Sequence, residues 1–105
     1  MKVEHWNPEK EGALSEAAMR RKLEQLGYRV NRYVYSPGTF FPTHTHSTEK
    51  IDAVLSGNFR ISMGKDSVVL KAGDFVYVPA GAEHSAEVIG KESVVSLDAI
   101  AVRKF

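Results

Sequence analysis

The sequence predicts an all-β domain, a small sandwich or barrel with one N-terminal helix packed outside it or at one end. Three observations carry this prediction. Apolar residues recur with a period near 3.6 only between Leu14 and Gly27. From Tyr28 onward the period is 2, as on strands with one buried face. Glycine-containing turns then break the alternation at short, regular intervals, which argues against β-α-β units with their long crossovers.

Residues 1–12 mix charge with Pro8 and Gly12 and show no period. Val3 to Trp6 reads as a short edge strand, and His5, with no ligating partner nearby in sequence, reads as a surface residue. The helix follows. Ser15 suits its N-cap, because a hydroxyl there accepts from an otherwise orphaned amide of the first turn. Leu14 and Met19 have the spacing of a hydrophobic staple. Met19, Leu23 and Leu26 form one apolar stripe, and Arg20, Arg21 and Lys22 fill a solvated face. Gly27 is placed for the C-terminal stop.

Strands are expected at Tyr28–Tyr35, Thr39–Phe41, Lys50–Leu55, Phe59–Met63, Val68–Lys71, Phe75–Val78, Ser85–Val88 and Val94–Val102. Gly38, Gly57, Gly64, Gly73, Gly81 and Gly90 punctuate them. Alternation places Arg60 outside, with Phe59 and Ile61 facing the core. The long first and last strands read as sheet edges, and covering such edges predicts a homodimer. The organisation expected is an N-terminal segment and helix over 1–27 and a β-barrel over 28–105, together one structural domain.

Length and charge narrow the function. A chain of 105 residues makes one domain with a core of its own. Fourteen basic against thirteen acidic residues leave a net charge of +1, which offers no footprint for nucleic acid. The absence of cysteine excludes disulfides, thiolate metal sites and thiol nucleophiles. No apolar run approaches the length of a membrane span, and the first residues lack the apolar core of a secretory signal. No membrane partner and a cytoplasmic location are the expectation.

The chemistry concentrates between Gly38 and Gly57, in GTFFPTHTHSTEKIDAVLSG. His44 and His46 are two residues apart, so on an extended strand both rings reach one point. His84 lies downstream in GDFVYVPAGAEHS, just past a Pro-x-Gly turn. Imidazole is the commonest protein ligand for divalent transition metals, and three rings converging on one cavity is the working reading. No phosphate-cradling loop and no nucleophile elbow appears.

These residues resemble the cupins. The first motif of that family is a glycine, five residues, His-x-His, a glutamate a few residues on, six further residues and a glycine. Gly38, His44, His46 and Gly57 hold those places. The second motif places a glycine, a Pro-x-Gly and a histidine at fixed spacings, held here by Gly73, Pro79, Gly81 and His84. The two motifs span about half of the chain, and their joint occurrence is far more specific than either alone. The resemblance implies a jelly-roll barrel around a metal centre.

The sequence departs from the pattern at two places. Lys50 stands where the family has its metal-binding glutamate, and Val88 where the second motif ends in asparagine. A cation at position 50 repels a metal. Asp52 shares the face of Lys50 and is the preferred acidic ligand beside His44, His46 and His84, with Glu49 as the alternative. A Lys50–Asp52 ion pair is the competing account, and the metal then rests on three histidines.

The cofactor expected is one divalent transition metal ion, with zinc, iron, nickel, manganese and copper all compatible with such donors. The partner expected is a small-molecule ligand or substrate. Lys50 and Asp52 are the candidate proton-transfer groups, Lys50 on the premise that burial lowers its pKa. The resemblance implies three functional classes: a metal-dependent enzyme with dioxygenase, isomerase, decarboxylase or lyase chemistry, a non-catalytic binding or sensing module, and a metal-free isomerase using a histidine base.

Overall fold

The computed structural model describes residues 1–102; the last residues of the expected barrel, 103–105, lie outside the described residues. In chain order the elements are β1 (Val3–His5), α1 (Pro8–Glu11), α2 (Glu16–Gln25), β2 (Tyr28–Tyr35), β3 (Phe40–His44), β4 (Lys50–Ser56), β5 (Asn58–Met63), β6 (Asp66–Leu70), β7 (Asp74–Val78), β8 (His84–Ile89) and β9 (Val94–Ala101). They build two antiparallel sheets. One has the order β1-β7-β4-β9-β2 and the other β3-β8-β5-β6.

Alternation along the strands produces two apolar clusters. Val54, Val76, Val78 and Val94 of the five-stranded sheet meet Phe59, Ile61, Leu70, Ala86 and Val88 of the four-stranded sheet. The intervening residues Ile51, Ala53, Phe75, Leu97 and Ala99 point the other way, onto Met19 and Leu23 of α2. The five-stranded sheet is therefore covered on both faces, which is why β4 and β9 read as nearly continuous apolar runs. A polar residue on the inner face of either strand is enclosed between the sheets.

The helix begins as its sequence requires, with the Ser15 hydroxyl accepting from the Ala18 amide at 3.0 Å. Its polar face is less solvated than expected. Arg20 donates to the Val30 carbonyl at 2.7 Å, and the Lys22 ammonium lies 5.2 Å from the Trp6 ring centre and 5.3 Å from that of Phe75. A second helix, α1, precedes it. Four residues cannot display a 3.6 period, so α1 announces itself only through Asn7 at its N-cap and Pro8 at its first position.

The position of the last strand departs from expectation. Here β9 lies between β4 and β2 rather than at a sheet edge. Its residues Val94, Leu97 and Ala99 are buried because both neighbours and both faces are occupied. The edges of this sheet are β1 and β2, and on β2 Tyr33 and Val34 are exposed. His5 is exposed and pairs with Asp74 at 2.7 Å, and Arg60 is exposed and pairs with Glu87 at 3.1 Å.

Candidate metal centre

The two motif histidines that lie on strands are direct neighbours. In the antiparallel pair of β3 and β8, His44 faces His84, with a bulge between Phe41 and His44 that re-aims the end of β3. His46 follows in the connection to β4. Its carbonyl accepts from the Gly81 amide at 2.8 Å, which ties this connection to the turn preceding His84. Gly81 has φ of +77°, a conformation that a side chain disfavours, and so permits that turn.

The three rings gather at one point. Their centroids are 4.8 Å apart for His44 and His46, 4.3 Å for His44 and His84, and 5.1 Å for His46 and His84. One ring nitrogen from each lies within 4.8 Å of the others. Nδ1 of His44 donates to the Pro42 carbonyl at 2.6 Å, and Nδ1 of His84 donates to the Ala82 carbonyl at 2.9 Å. These bonds fix the tautomer that leaves Nε2 as a free lone pair, the arrangement typical of metal-ligating histidine. Nε2 of His46 is buried without a hydrogen-bond partner. An orphaned buried nitrogen is costly unless something binds it, and a metal ion fits this donor set.

Neither carboxylate expected as a ligand joins the three imidazoles. Glu49 faces away, as strict alternation from Lys50 dictates, and accepts from the Tyr28 hydroxyl. Asp52 does point into the cavity beside Lys50, but the Lys50 ammonium lies 3.3 Å from its carboxylate. The same ammonium pairs with Asp98 on β9. The register explains this cluster, because Asp52 and Asp98 sit directly opposite each other on adjacent strands. Two like charges so placed repel unless a cation is set against both.

Asp98 was not among the expected site residues. Its signal is a lone charge in an apolar strand, on the same face as the buried Val94 and Ser96.

The electrostatics revise the role expected of Lys50. Burial works to lower its pKa, but the charges of Asp52 and Asp98 and their hydrogen bonds outweigh it, and the net shift is upward. Lys50 is thus held as a cation and is not the poised base the sequence suggested. Asp52 is also shifted upward, but there burial is the cause and not the obstacle. Burial raises its pKa to about 6, the Lys50 charge opposes this, and Asp98 adds to it.

The cavity has a volume of about 190 Å³. His44, His46 and His84 form one side, Lys50, Asp52 and Asp98 another, and Tyr35, Phe41 and Phe59 an aromatic wall. The aromatic rings pack closely, with Tyr35 and Phe41 edge-on at 4.9 Å and Tyr35 and Phe59 stacked at 5.6 Å.

A pH dependence follows for the metal-free protein. Burial, followed by the Lys50 charge, holds His46 below its ordinary value of 6.5, and burial does the same for His84 against the opposing hydrogen bond to the Ala82 carbonyl. Just below pH 6.5 the unfolded chain therefore binds more protons than the folded one, and stability drops as the solution is acidified. Asp52 contributes in the opposite sense between 3.8 and about 6, where the folded state binds the extra proton. The loss sets in as pH falls below 6.5, and Asp52 offsets it from about 6 downward. Urea midpoints of chelator-treated protein measure this, and a midpoint unchanged between pH 8 and 6 contradicts it.

Known proteins resemble this chain to different degrees. An uncharacterised protein of Streptomyces coelicolor, SCO3923, is 29% identical over 84 residues, 80% of each chain. The crystal structure of TT1209 from Thermus thermophilus superposes with a TM-score of 0.62 at 26% identity, covering 70% of both chains. The DMSP lyase DddQ from Ruegeria pomeroyi DSS-3 superposes with a TM-score of 0.65 at 23% identity. That match covers 72% of this chain but 39% of the lyase, a likeness of fold alone. Residues 31–100, well over half of the sequence and including all three clustered histidines, match the cupin domain family, and the chain belongs to it.

Proposed function

We propose that the chain binds one divalent transition metal ion through His44, His46 and His84 and performs chemistry on a small molecule at the remaining coordination positions. The observation that carries this reading is the convergence of three ring nitrogens, one of them buried and unpartnered. Such an ion supplies Lewis acidity or redox chemistry when bound. The chain's own residues do the rest. The Pro42 and Ala82 carbonyls orient the imidazoles, and Asp52 is the group we assign to proton transfer. Lys50 serves as its counter-ion, and the aromatic wall keeps water from one side of the cavity. Lyase chemistry belongs among the reactions to screen, given the likeness to a DMSP lyase.

A second reading, a module that holds its ligand without turnover, is favoured by one feature. Lys50 replaces the carboxylate ligand of the family pattern and is locked between Asp52 and Asp98. Aerobic turnover screening with iron(II), nickel(II) or manganese(II) separates the two. We also propose a homodimer that covers the exposed Tyr33 and Val34 on the β2 edge; light scattering at a single-chain mass contradicts it.

Metal binding itself is tested by thermal unfolding. Zinc added to chelator-stripped protein at a hundredfold excess over its Kd should stabilise the folded state by about 2.7 kcal/mol. For a domain of this length that raises Tm by roughly 10 °C or more. An unchanged Tm across zinc, nickel and manganese overturns the reading.

A further inference from the structure

The charges lining the cavity do not cancel once a divalent ion is bound. The three imidazoles bring no charge to it, whereas the glutamate of the family pattern would bring one negative charge at position 50. Lys50 stands there instead and adds a positive charge. Against the ion and this ammonium stand the carboxylates of Asp52 and Asp98, both already in contact with Lys50. A divalent cation plus one ammonium exceeds two carboxylates, and the cavity retains a positive excess. Half-enclosed between two sheets, that excess is weakly screened by solvent and salt. The ammonium lies within ion-pair distance of both carboxylates.

The remaining space sets the size of what can answer this charge. At about 30 Å³ for each water-sized group, the cavity of about 190 Å³ holds roughly six, the ion included. Its aromatic side, Tyr35, Phe41 and Phe59, offers an apolar surface to a short carbon skeleton.

We propose that the cavity takes a small organic monoanion, a short-chain carboxylate, with its charged oxygen on the metal and its carbon skeleton on the aromatic wall. This inference rests on the three-histidine reading above and names the ligand class for that site. Lys50 and Asp98 set the specificity through charge: the first favours the anion and the second opposes it.

The test uses the protein loaded with cobalt(II), whose visible spectrum changes when an exogenous ligand enters its coordination sphere. Butyrate is the probe and butyramide, of the same shape but neutral, the control. Butyrate should perturb the spectrum saturably, and butyramide should bind at least roughly tenfold more weakly. Asp98→Asn should tighten butyrate binding by roughly tenfold, and Lys50→Gln should weaken it by a similar factor. Should Lys50→Gln fail to fold, Asp98→Asn and the amide control decide the matter. Equal affinity for acid and amide, or an Asp98→Asn protein that binds butyrate no more tightly, overturns the inference. A cobalt spectrum indifferent to butyrate overturns this inference alone, while failure of the wild-type chain to bind cobalt overturns the metal reading beneath it.

Discussion

Replacing His84 by alanine is expected to strip the metal while leaving both sheets in place. His84 is buried on β8, directly opposite His44, and its Nδ1 is committed to the Ala82 carbonyl. The substitution removes one of three donors. Loss of an outer-shell partner alone typically costs 10–100-fold in metal affinity, so loss of the ligand itself should cost at least about 100-fold. The effect on the metal-free fold is far smaller, about 1–2 kcal/mol from the lost hydrogen bond and packing. Circular dichroism should therefore be unchanged while metal content falls to background. Full metal retention by a folded His84→Ala protein is incompatible with the ligand assignment.

Lys50→Met is expected to destabilise the protein by about 3–5 kcal/mol, the scale for removing one partner of a buried ion pair. The cause is local. Asp52 and Asp98 face each other across β4 and β9, and Lys50 is the cation set between them. Without it, burial and the neighbouring carboxylate drive the pKa of Asp52 further upward. An acid whose folded pKa lies above its unfolded value loses stability as pH rises through that window. For the intact protein the window runs from 3.8 to about 6, and in the variant it extends higher. The deficit of Lys50→Met should thus be larger at pH 8 than at pH 5. Adding Asp98→Asn should recover about 2 kcal/mol or more, because it removes the facing charge. Urea unfolding at both pH values measures this, and an equal deficit at pH 5 and 8 sinks the explanation.

The sequence carried the fold further than it carried the site. The change of period at Tyr28 and the spacing of glycines were enough to place most strands, because strands such as β4, β7, β8 and β9 bury at least one face. The neighbours of a strand are not written in its own residues. Val94 to Ala101 is apolar whether it lies at an edge or between two strands, so its place between β4 and β2 had to come from the structure. The histidines were legible because their spacing is local for His44 and His46 and motif-bound for His84. Asp98 was not, since its meeting with Asp52 depends on the register between two strands far apart in the chain. The fate of Lys50 turned on the same register: a lysine beside one aspartate left the direction of its pKa open, and a second aspartate decided it.

The claim that three imidazoles from two distant segments hold one cation is tested most directly by X-ray absorption on the zinc-loaded protein. The zinc should show a first shell containing three imidazole nitrogens at about 2.0–2.1 Å, with the remainder supplied by water or added ligand. A shell with one imidazole or none, or one built on carboxylate oxygens, contradicts it.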